Sequence, residues 1–325
     1  MSKKNLAKPL TVGILIVIFC LLPLFISGVY WIHVLITAGL AIILTVSLRL
    51  IFNMGQLSLG QGGMMTLGAY TAALLVTKLG WPTWGALGAS AVAAALLALL
   101  VGYPFMKLKG IYFALVTVFL SEVLRLIAEQ WRSVTGGSLG ISNIPPPSAI
   151  TIPGLMTIDF TSKVNFYYLM LFIVLITLLI CYALERSRIG LTWFSIKESD
   201  FLAQSVGINI NNYKVLAWCI GCLFAGLAGG LYAQYNAVIT PGAFGFVYAV
   251  YVLLYMIVGG SKRFSGPIIG ALILTLIPEL ARPLKQYQPY LFAAVTIVVI
   301  FVLPDGLVSL PRHIKKLITE RWSHV

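Results

Sequence analysis

Long apolar runs recur along this 325-residue chain, and they constrain its fold more than any other feature. A helix of about 20 apolar residues crosses a bilayer core of about 30 Å. Hydrophobic residues make up 60% of the chain and charged residues only 10%, a balance outside the range of soluble globular proteins. The sequence therefore predicts an all-α, polytopic integral membrane helical bundle, in which residues 1–325 form a single transmembrane domain.

Ten candidate membrane spans follow from these runs, so we expect about ten transmembrane helices. The third span and the last three are short for a perpendicular crossing and are flanked by glycine or proline, which is typical of short or broken helices buried inside protein. The first is expected to be a retained helix rather than a signal peptide, because its run is long and no small-residue cleavage site follows it. The spans are Leu10–Val29, His33–Leu50, Gly62–Thr77, Trp84–Phe105, Ile111–Ile127, Phe166–Leu184, Tyr213–Tyr235, Phe246–Gly260, Pro267–Ala281 and Tyr290–Leu303.

The basic residues predict the orientation, because Lys and Arg stay on the cytoplasmic side of a membrane. With the amino terminus inside and ten crossings, both termini are predicted to be cytoplasmic. The net charge of +13 then indicates a membrane surface rather than nucleic-acid binding. The inner side holds Lys3, Lys4, Lys8, Arg49, Lys107, Lys109, Arg186, Arg188, Lys197, Lys214, Lys262, Arg263, Arg312, Lys315, Lys316 and Arg321, and the outer side holds Lys78, Arg125, Arg132, Lys163, Arg282 and Lys285.

Motifs of enzymes and of resident cofactors are absent from the sequence. The histidines, His33, His313 and His324, are too few and too scattered for a metal cluster. The phosphate-binding Gly-x4-Gly-Lys-Ser/Thr loop is missing as well, and the chain contains no Gly-Lys pair. We therefore expect no catalytic, cofactor-binding or metal-binding residue here, and ATP could be used only by a separate subunit.

The polar interval 185–212 separates two strongly apolar spans and is predicted to be cytoplasmic. No proline interrupts Leu191–Val206, so the sequence predicts one amphipathic helix there, with Gly207 as its stop. Its apolar stripe is formed by Leu191, Phe194, Phe201, Leu202 and Val206. Such a helix can dock a partner or lie on lipid headgroups, and its small number of cations favours docking.

A second polar interval, 130–165, is predicted to be extracytoplasmic. Its prolines and glycines exclude a long helix and predict an ordered, irregular cap. Two interpretations stay open: a passive connector, or a docking surface or lid over the outer mouth of a pathway.

Two further groups of residues are candidates for a transport pathway or for helix packing. The first is the uncharged polar stretch that holds Gly55, Gln56, Ser58, Gln61 and Gly63, which is either a cavity lining or a close helix contact. The second is Glu122 with Arg125, which lie three residues apart on one helix and can pair. Arg49 is expected to extend its side chain to the inner interface.

Several separated motifs resemble the branched-chain amino acid permeases of the ABC (ATP-binding cassette) type. They are Gly55-Gln56-Leu57-Ser58-Leu59-Gly60-Gln61-Gly62, Gly110-Ile111-Tyr112-Phe113-Ala114-Leu115, Thr135-Gly136-Gly137, Ser187-Arg188-Ile189-Gly190, Phe224-Ala225-Gly226-Leu227-Ala228-Gly229 and the Gly259–Ala271 run. In order and spacing they are similar to the LivM-type member of the paired LivH/LivM permeases.

The resemblance implies a non-catalytic permease for branched-chain amino acids (leucine, isoleucine, valine). Its implied partners are a LivH-type second permease, two cytoplasmic ATP-binding subunits, a periplasmic or lipid-anchored substrate-binding protein and membrane lipid, in the bacterial inner membrane. Nucleotide binding would then move the Leu191–Val206 helix of the 185–212 interval, a coupling loop, as a lever. In the family's Glu-x4-Ala-x3-Gly-Ile pattern the ATPase-coupling candidates are Glu198, Ala203, Gly207 and Ile208, together with Asp200.

The loop departs from the family pattern at Ser199, Phe201, Gln204 and Ser205, which leaves the identity of the ATPase open. For the binding protein, the docking candidates are Thr135, Gly136 and Gly137. Three alternatives remain at this point: a permease of the same family for urea or short amides, an ion-gradient-driven secondary transporter, and a more distant one, a membrane-embedded enzyme.

Overall fold

A computed structural model describes residues 17–23, 28–152, 156–303 and 305–310, and helices dominate these ranges. Residues 17–23 are helical, and twelve α-helices follow within the described residues. Their bounds are α1 Val29–Asn53, α2 Gln61–Thr77, α3 Thr83–Phe105, α4 Ile111–Gln130, α5 Arg132–Thr135, α6 Lys163–Arg186, α7 Arg188–Glu198, α8 Asp200–Ser205, α9 Ile210–Asn236, α10 Phe246–Gly259, α11 Ser265–Leu280 and α12 Gln288–Val302.

The few strands lie outside the helical bundle. Strand β1 (Ile141–Ser142) pairs antiparallel with β4 (Val238–Ile239), and β2 (Ile150–Ile152) pairs antiparallel with β3 (Met156–Ile158). Short 3₁₀ helices occupy Gly137–Leu139, Pro241–Phe244, Arg282–Tyr287 and Leu307–Ser309. Within its described residues the interval 130–165 holds only short elements, and its β1 strand pairs with the segment that follows α9.

Among the described residues, six helices are long and apolar enough to cross a membrane, which is consistent with a multi-pass bundle. They are α1, α3, α4, α6, α9 and the Pro241–Gly259 segment, and Ser265–Leu280 and Tyr290–Val299 are shorter apolar helices. Nine of the ten predicted spans coincide with helices. The first span falls mostly outside the described residues, as do both termini, so the count of ten crossings and the placement of the termini stay predictions.

Contacts between loops define two ends of the bundle. At one end, Arg49 near the end of α1 binds Glu185 of α6, and Lys109 before α4 binds Asp200 of α8. At the other end, Lys78, which follows α2, donates to the Ser133 carbonyl of α5. We call the first the basic end, because it also gathers Lys107, Arg186, Arg188, Lys197, Lys214, Lys262 and Arg263. The successive helices α1, α2, α3, α4, α6 and α9 run in alternating directions.

The core of the bundle consists of α1, α2 and α9. Nearly all of α1 is buried, and α9 packs against α2 at backbone distance because glycines face the contact. A Cβ atom at Gly229 would lie 2.1 Å from the Met65 carbonyl oxygen, and one at Gly68 would lie 2.1 Å from that of Gly226. Helices α3, α4, α6, α10 and α11 surround this core and expose apolar side chains, as membrane-spanning helices do.

Candidate functional site

The loop between α6 and α9 forms two short helices rather than the single helix that the sequence predicts. Helix α7 ends at Glu198, and α8 begins at Asp200. Between them Ser199 adopts an extended backbone (φ −160°, ψ 112°), and its hydroxyl accepts a hydrogen bond from the Leu202 amide. Serine favours such caps because its short side chain competes with the helical backbone for hydrogen bonds. The break corrects the prediction of a continuous helix over Leu191–Val206.

Buried contacts fasten both short helices to the start of α9. The indole of Trp193, fully buried, donates to the Tyr213 carbonyl at 2.8 Å. The carboxylate of Asp200 pairs with Lys214 at 2.9 Å and with Lys109 at 2.8 Å. Burial by itself would raise the pKa of Asp200, but hydrogen bonds from Lys109 and Lys214 outweigh it and hold the pKa below its ordinary value. These contacts hold the loop in place on the bundle.

The outward face of the two helices is apolar and exposed. Its five side chains are between 59% and 78% exposed although they are large and hydrophobic: Leu191, Phe194, Phe201, Leu202 and Val206. These are the residues of the predicted stripe, and all five stay exposed on either side of the break at Ser199. We call this surface the apolar loop face. Several large apolar side chains exposed on one loop outside the membrane-spanning helices are typical of an interaction site.

The ATPase-coupling candidates do not all lie on this face. Glu198 is exposed beside it, and Gly207 is exposed at the end of α8. Gly207 has a φ of +83°, so it ends the helix as the sequence predicts, with its amide on the Gln204 carbonyl. Ala203 is buried against the bundle, and Ile208 is partly buried. Asp200 is turned inward to its two lysines.

A buried ion pair that the sequence does not reveal supports the loop from the other side. Arg49, 5% exposed, donates from Nε to Glu185 at 2.7 Å and from Nη1 to the Arg263 carbonyl at 3.0 Å. Asn53 donates to the same carboxylate at 2.8 Å. This corrects the expectation that Arg49 extends to the interface. Nζ of Lys197 lies 3.9 Å from the centre of the Phe52 ring. The pKa of Lys197 is lowered by burial and, to a smaller extent, by the charge of Arg49.

The second candidate region lies where α2 begins, inside the bundle rather than at its surface. The Leu59 amide donates to Thr117 Oγ1 at 3.1 Å, and the Gly63 amide donates to Ser121 Oγ at 3.2 Å. Thr117 and Ser121 are six and ten residues into α4, or about 9 and 15 Å from its first residue. Helix α2 therefore starts near the middle of the span that α4 makes.

Helix α10 also starts at this depth. A Cβ atom at Gly62 would lie 2.9 Å from the Phe244 carbonyl oxygen, and one at Gly245 would lie 4.0 Å from Cδ of Arg125. We call this meeting of residues 59–63, residues 244–246 and the middle of α4 the mid-depth junction. Two short helices that begin inside a bundle are a common feature of transporter pathways.

The polar residues before and in α2 have different surroundings. Gly55 is exposed at the basic end, where a Cβ atom would lie 3.3 Å from Cα of Lys197. Gln56 is buried and donates to the Leu108 carbonyl at 3.1 Å, and Ser58 accepts from the Gly60 amide at 3.0 Å. Gly63 packs on Ser121, since a Cβ atom there would lie 2.4 Å from Cα of Ser121. This supports close helix packing at Gly63, whereas Gly55 lies exposed in the turn that follows α1.

Gln61 differs from its neighbours in this stretch. Its side chain is 1% exposed, yet within the described residues neither amide atom has a hydrogen-bond partner. A buried unpaired amide is costly, so groups of this kind mark places where water or a polar ligand is needed.

Glu122 and Arg125 form the pair that their spacing predicts, and a third residue joins them. Arg125 binds Glu122 at 2.6 Å and Glu129 at 2.6 Å, one turn further on. The side chain of Glu122 is 40% exposed, and that of Arg125 is 22% exposed. Glu122 lies about 16 Å from the start of α4 and about 12 Å from its end. A partly exposed charge at that depth is costly against lipid.

The three docking candidates at the opposite end are mostly structural. Thr135 is buried, with its hydroxyl oxygen 2.6 Å from the Ala128 carbonyl oxygen and 2.7 Å from that of Trp131. Gly137 is also buried, and only Gly136 is exposed. Close to them, at the end of a 3₁₀ turn, Leu139 is 89% exposed. The sequence did not single out Leu139, whose only signal is an apolar residue among glycines.

Comparison with known proteins agrees with the architecture. The family model for the permease component of branched-chain amino acid transport systems matches residues 30–304. The high-affinity branched-chain amino acid transport system permease protein LivM of Escherichia coli K12 is 29% identical over 303 residues, which cover 88% of this chain and 70% of that protein.

Two more distant relatives fit the same pattern. LivH, the permease protein of the same kind of system in Salmonella typhimurium LT2, is 23% identical over 79% of this chain and 87% of its own length. A probable branched-chain amino acid transport permease protein LivM of Methanocaldococcus jannaschii is 24% identical over 67% of this chain and 66% of its own. No solved structure matches the chain.

Proposed function

This chain belongs to the family of branched-chain amino acid transport permeases, and on that premise we propose that it is the pathway-forming subunit of an ATP-driven importer. Its substrates are branched-chain amino acids, and its location is the bacterial cytoplasmic membrane with the basic end inside. A second permease completes the pathway. Separate ATP-binding subunits supply the energy, and a binding protein delivers the substrate.

The apolar loop face is the observation that carries this proposal. An exposed hydrophobic surface at the basic end, held by buried contacts to α1 and α9, is suited to seat a soluble subunit on the membrane domain. The burial of Phe201 and Phe194 against that subunit would contribute most of the contact, since large aromatic side chains dominate interface energetics. Glu198, beside them, would add specificity through charge.

The mid-depth junction is the candidate wall of the pathway. A partly exposed Glu122–Arg125 pair near the middle of α4 would be costly against lipid, so the flank that bears it faces water or the second permease. Gln61 supplies a further polar group at this depth. Both features suit an aqueous route for a zwitterion, whose two charges have to be hydrated or paired while it crosses the membrane.

The opposite end would receive the binding protein. The cap formed by residues 130–165 is held in place by the β1–β4 pairing and by Thr135. Leu139 is presented at its surface, with Gly136 beside it. An ordered cap with an exposed apolar tip is a suitable docking surface because little ordering is lost on binding.

The mechanism then connects the two ends. Nucleotide binding draws the ATP-binding subunits together and displaces the loop helices that rest on them. The bundle responds by changing which end of the pathway is open. Nucleotide drives this change only to the extent that it favours one of the two states.

The test is reconstitution. The chain is expressed with its second permease, the ATP-binding subunits and the binding protein, and leucine uptake into proteoliposomes is measured with and without internal ATP. We expect ATP-dependent uptake, and we expect Phe201→Asp to release the ATP-binding subunits from the purified complex. Leu79→Asp is the matched control, because that residue is 66% exposed just beyond α2, at the opposite end of the bundle from the loop.

Two results would contradict the proposal. One is accumulation of leucine by this chain alone in an ion gradient, which would indicate a secondary transporter. The other is ATP-dependent uptake of urea or a short amide with no uptake of leucine, which would leave the importer but change its substrate.

A further inference from the structure

Asp200 lies in the loop that the ATP-binding subunits would contact, but its carboxylate points into the bundle. It pairs with Lys214 at 2.9 Å and with Lys109 at 2.8 Å. The two lysines differ in their exposure to solvent. The side chain of Lys109 is 72% exposed, whereas that of Lys214 is 4% exposed. The contact with Lys214 is therefore the stronger constraint, since solvent screens exposed pairs.

Lys214 is the fifth residue of α9, and the next turn of that helix reaches the mid-depth junction. Trp218, fully buried, lies one turn after Lys214 on the same face. A Cβ atom at Gly60 would lie 2.9 Å from the ring of Trp218. The Trp218 ring also makes an edge contact with Phe113 of α4, with the two ring centroids 5.5 Å apart. A shift of the start of α9 therefore presses directly on the residues that precede α2.

Further along α9, the helix cannot slide past α2 without moving it. Gly226 and Gly229 bring the two backbones into contact, with Gly68 and Met65 on the other side. Packed interfaces of this kind transmit displacements because they hold little free volume. The loop, α9 and α2 are thus joined in series: the Asp200–Lys214 pair joins α8 to α9, and the Trp193–Tyr213 hydrogen bond joins α7 to α9.

We propose that Asp200 is a positioning residue that couples nucleotide-driven movement of the loop to α9, and through α9 to the mid-depth start of α2. This inference rests on the proposed function, because it takes the loop as the contact with the ATP-binding subunits. It also gives Asp200 a role different from that of Glu198, which stays on the exposed side of the same loop.

The experiment uses the complete transporter in proteoliposomes and measures leucine uptake and ATP hydrolysis in the same vesicles. We expect Asp200→Asn to lower the ratio of leucine transported to ATP hydrolysed roughly fivefold or more, the lower range of typical coupling between sites. Hydrolysis itself should change little, and Asp200→Glu should restore the ratio. Glu198→Gln should give the opposite signature, with uptake and hydrolysis falling together as the ATP-binding subunits dissociate.

A second variant separates coupling from folding, because Asp200→Asn leaves the Lys214 ammonium buried without its partner. The double variant Asp200→Asn with Lys214→Met removes the buried charge as well as the joint, so it should fold and still be uncoupled. A spin-label pair on Leu79, just beyond α2, and Leu179 of α6 provides a structural readout. Its distance should respond to ATP in the parent transporter and not in the double variant.

Normal coupling in the folded double variant, or an unchanged response of the spin labels, would overturn the inference while leaving the importer itself intact. If the parent transporter shows no ATP-dependent uptake, the proposed function fails instead, so the two failures are distinguishable.

Discussion

Arg49 and Glu185 join the basic ends of α1 and α6 through an ion pair of 2.7 Å between Nε and Oε1. The side chains are 7% and 15% exposed, and the same guanidinium binds backbone carbonyls of the turn between α10 and α11. One buried arginine thus ties three parts of the bundle together directly beside the loop. The end of α6, from which the loop begins, is therefore held in place by α1.

Removal of the carboxylate should be strongly destabilising. Glu185→Ala leaves the Arg49 charge buried, and we expect a loss of about 3–5 kcal/mol of stability. Lys262→Ala, which breaks an exposed pair with Asp305, should cost only about 0–1 kcal/mol. Thermal unfolding of the purified chain in detergent provides the comparison. Equal losses for the two variants would show that burial of the Arg49–Glu185 pair does not matter.

The α2–α9 contact should tolerate no side chain at Gly229. A Cβ atom there would lie 2.1 Å from the Met65 carbonyl oxygen, so we expect Gly229→Val to cost about 3 kcal/mol or more or to prevent folding. Gly88→Ala is the control, since that exposed helical glycine has open space around it and alanine is favoured there by about 1 kcal/mol. A folded, fully stable Gly229→Val protein would be inconsistent with this packing.

Labelling should reveal whether the Glu122 flank of α4 faces water. In the assembled transporter, a cysteine at Glu122 should react with a membrane-impermeant maleimide, and leucine should slow the reaction. A cysteine at the adjacent Val123, which is 50% exposed on a different side of the helix, should react only with a lipid-soluble reagent. Protection of both positions from the impermeant reagent would place the Glu122 pair in a dry interface rather than in the pathway.

The outer cap offers a test that separates docking from stability. Leu139→Asp should lower the stimulation of ATP hydrolysis by the binding protein without changing the melting temperature, because Leu139 is 89% exposed. Thr135→Val should instead lower the melting temperature first. It removes a buried hydroxyl whose oxygen lies 2.6 Å from the Ala128 carbonyl oxygen, a loss of about 1–3 kcal/mol of stability. Stimulation that is unchanged in Leu139→Asp would remove the docking role of this residue.

The attachment of α8 should depend on pH in one direction. The pKa of Asp200 is lower in the folded protein than in the unfolded chain, so its contribution is complete above the ordinary value of about 3.9 and is lost as the pH falls through the folded value. The difference in melting temperature between the parent and Asp200→Asn should thus be constant from neutral pH to about pH 5. It should shrink only in stronger acid, and a difference that disappears at about pH 6 would exclude this origin.

Local sequence patterns predicted much of the fold and part of the site. The apolar runs gave the positions of nine helices, including the short α2 and α10, because helix periodicity and bilayer thickness act on contiguous residues. Gly207 ends α8 because a positive φ suits glycine. Glu122 binds Arg125 because residues three apart lie on the same side of a helix. The break at Ser199 was missed, since one side-chain hydrogen bond there outweighs a weak preference for a continuous helix.

The sequence by itself determined that this chain is a multi-pass helical permease with an apolar stripe on one polar loop. Only the tertiary structure decided where the polar residues point. Asp200 reaches Lys109 and Lys214 across the basic end, and Arg49 reaches Glu185, 136 residues away. Periodicity depends on backbone geometry and is present in any short stretch of chain. The partner of a buried charge depends on which helices pack together, and no short stretch of sequence contains that information.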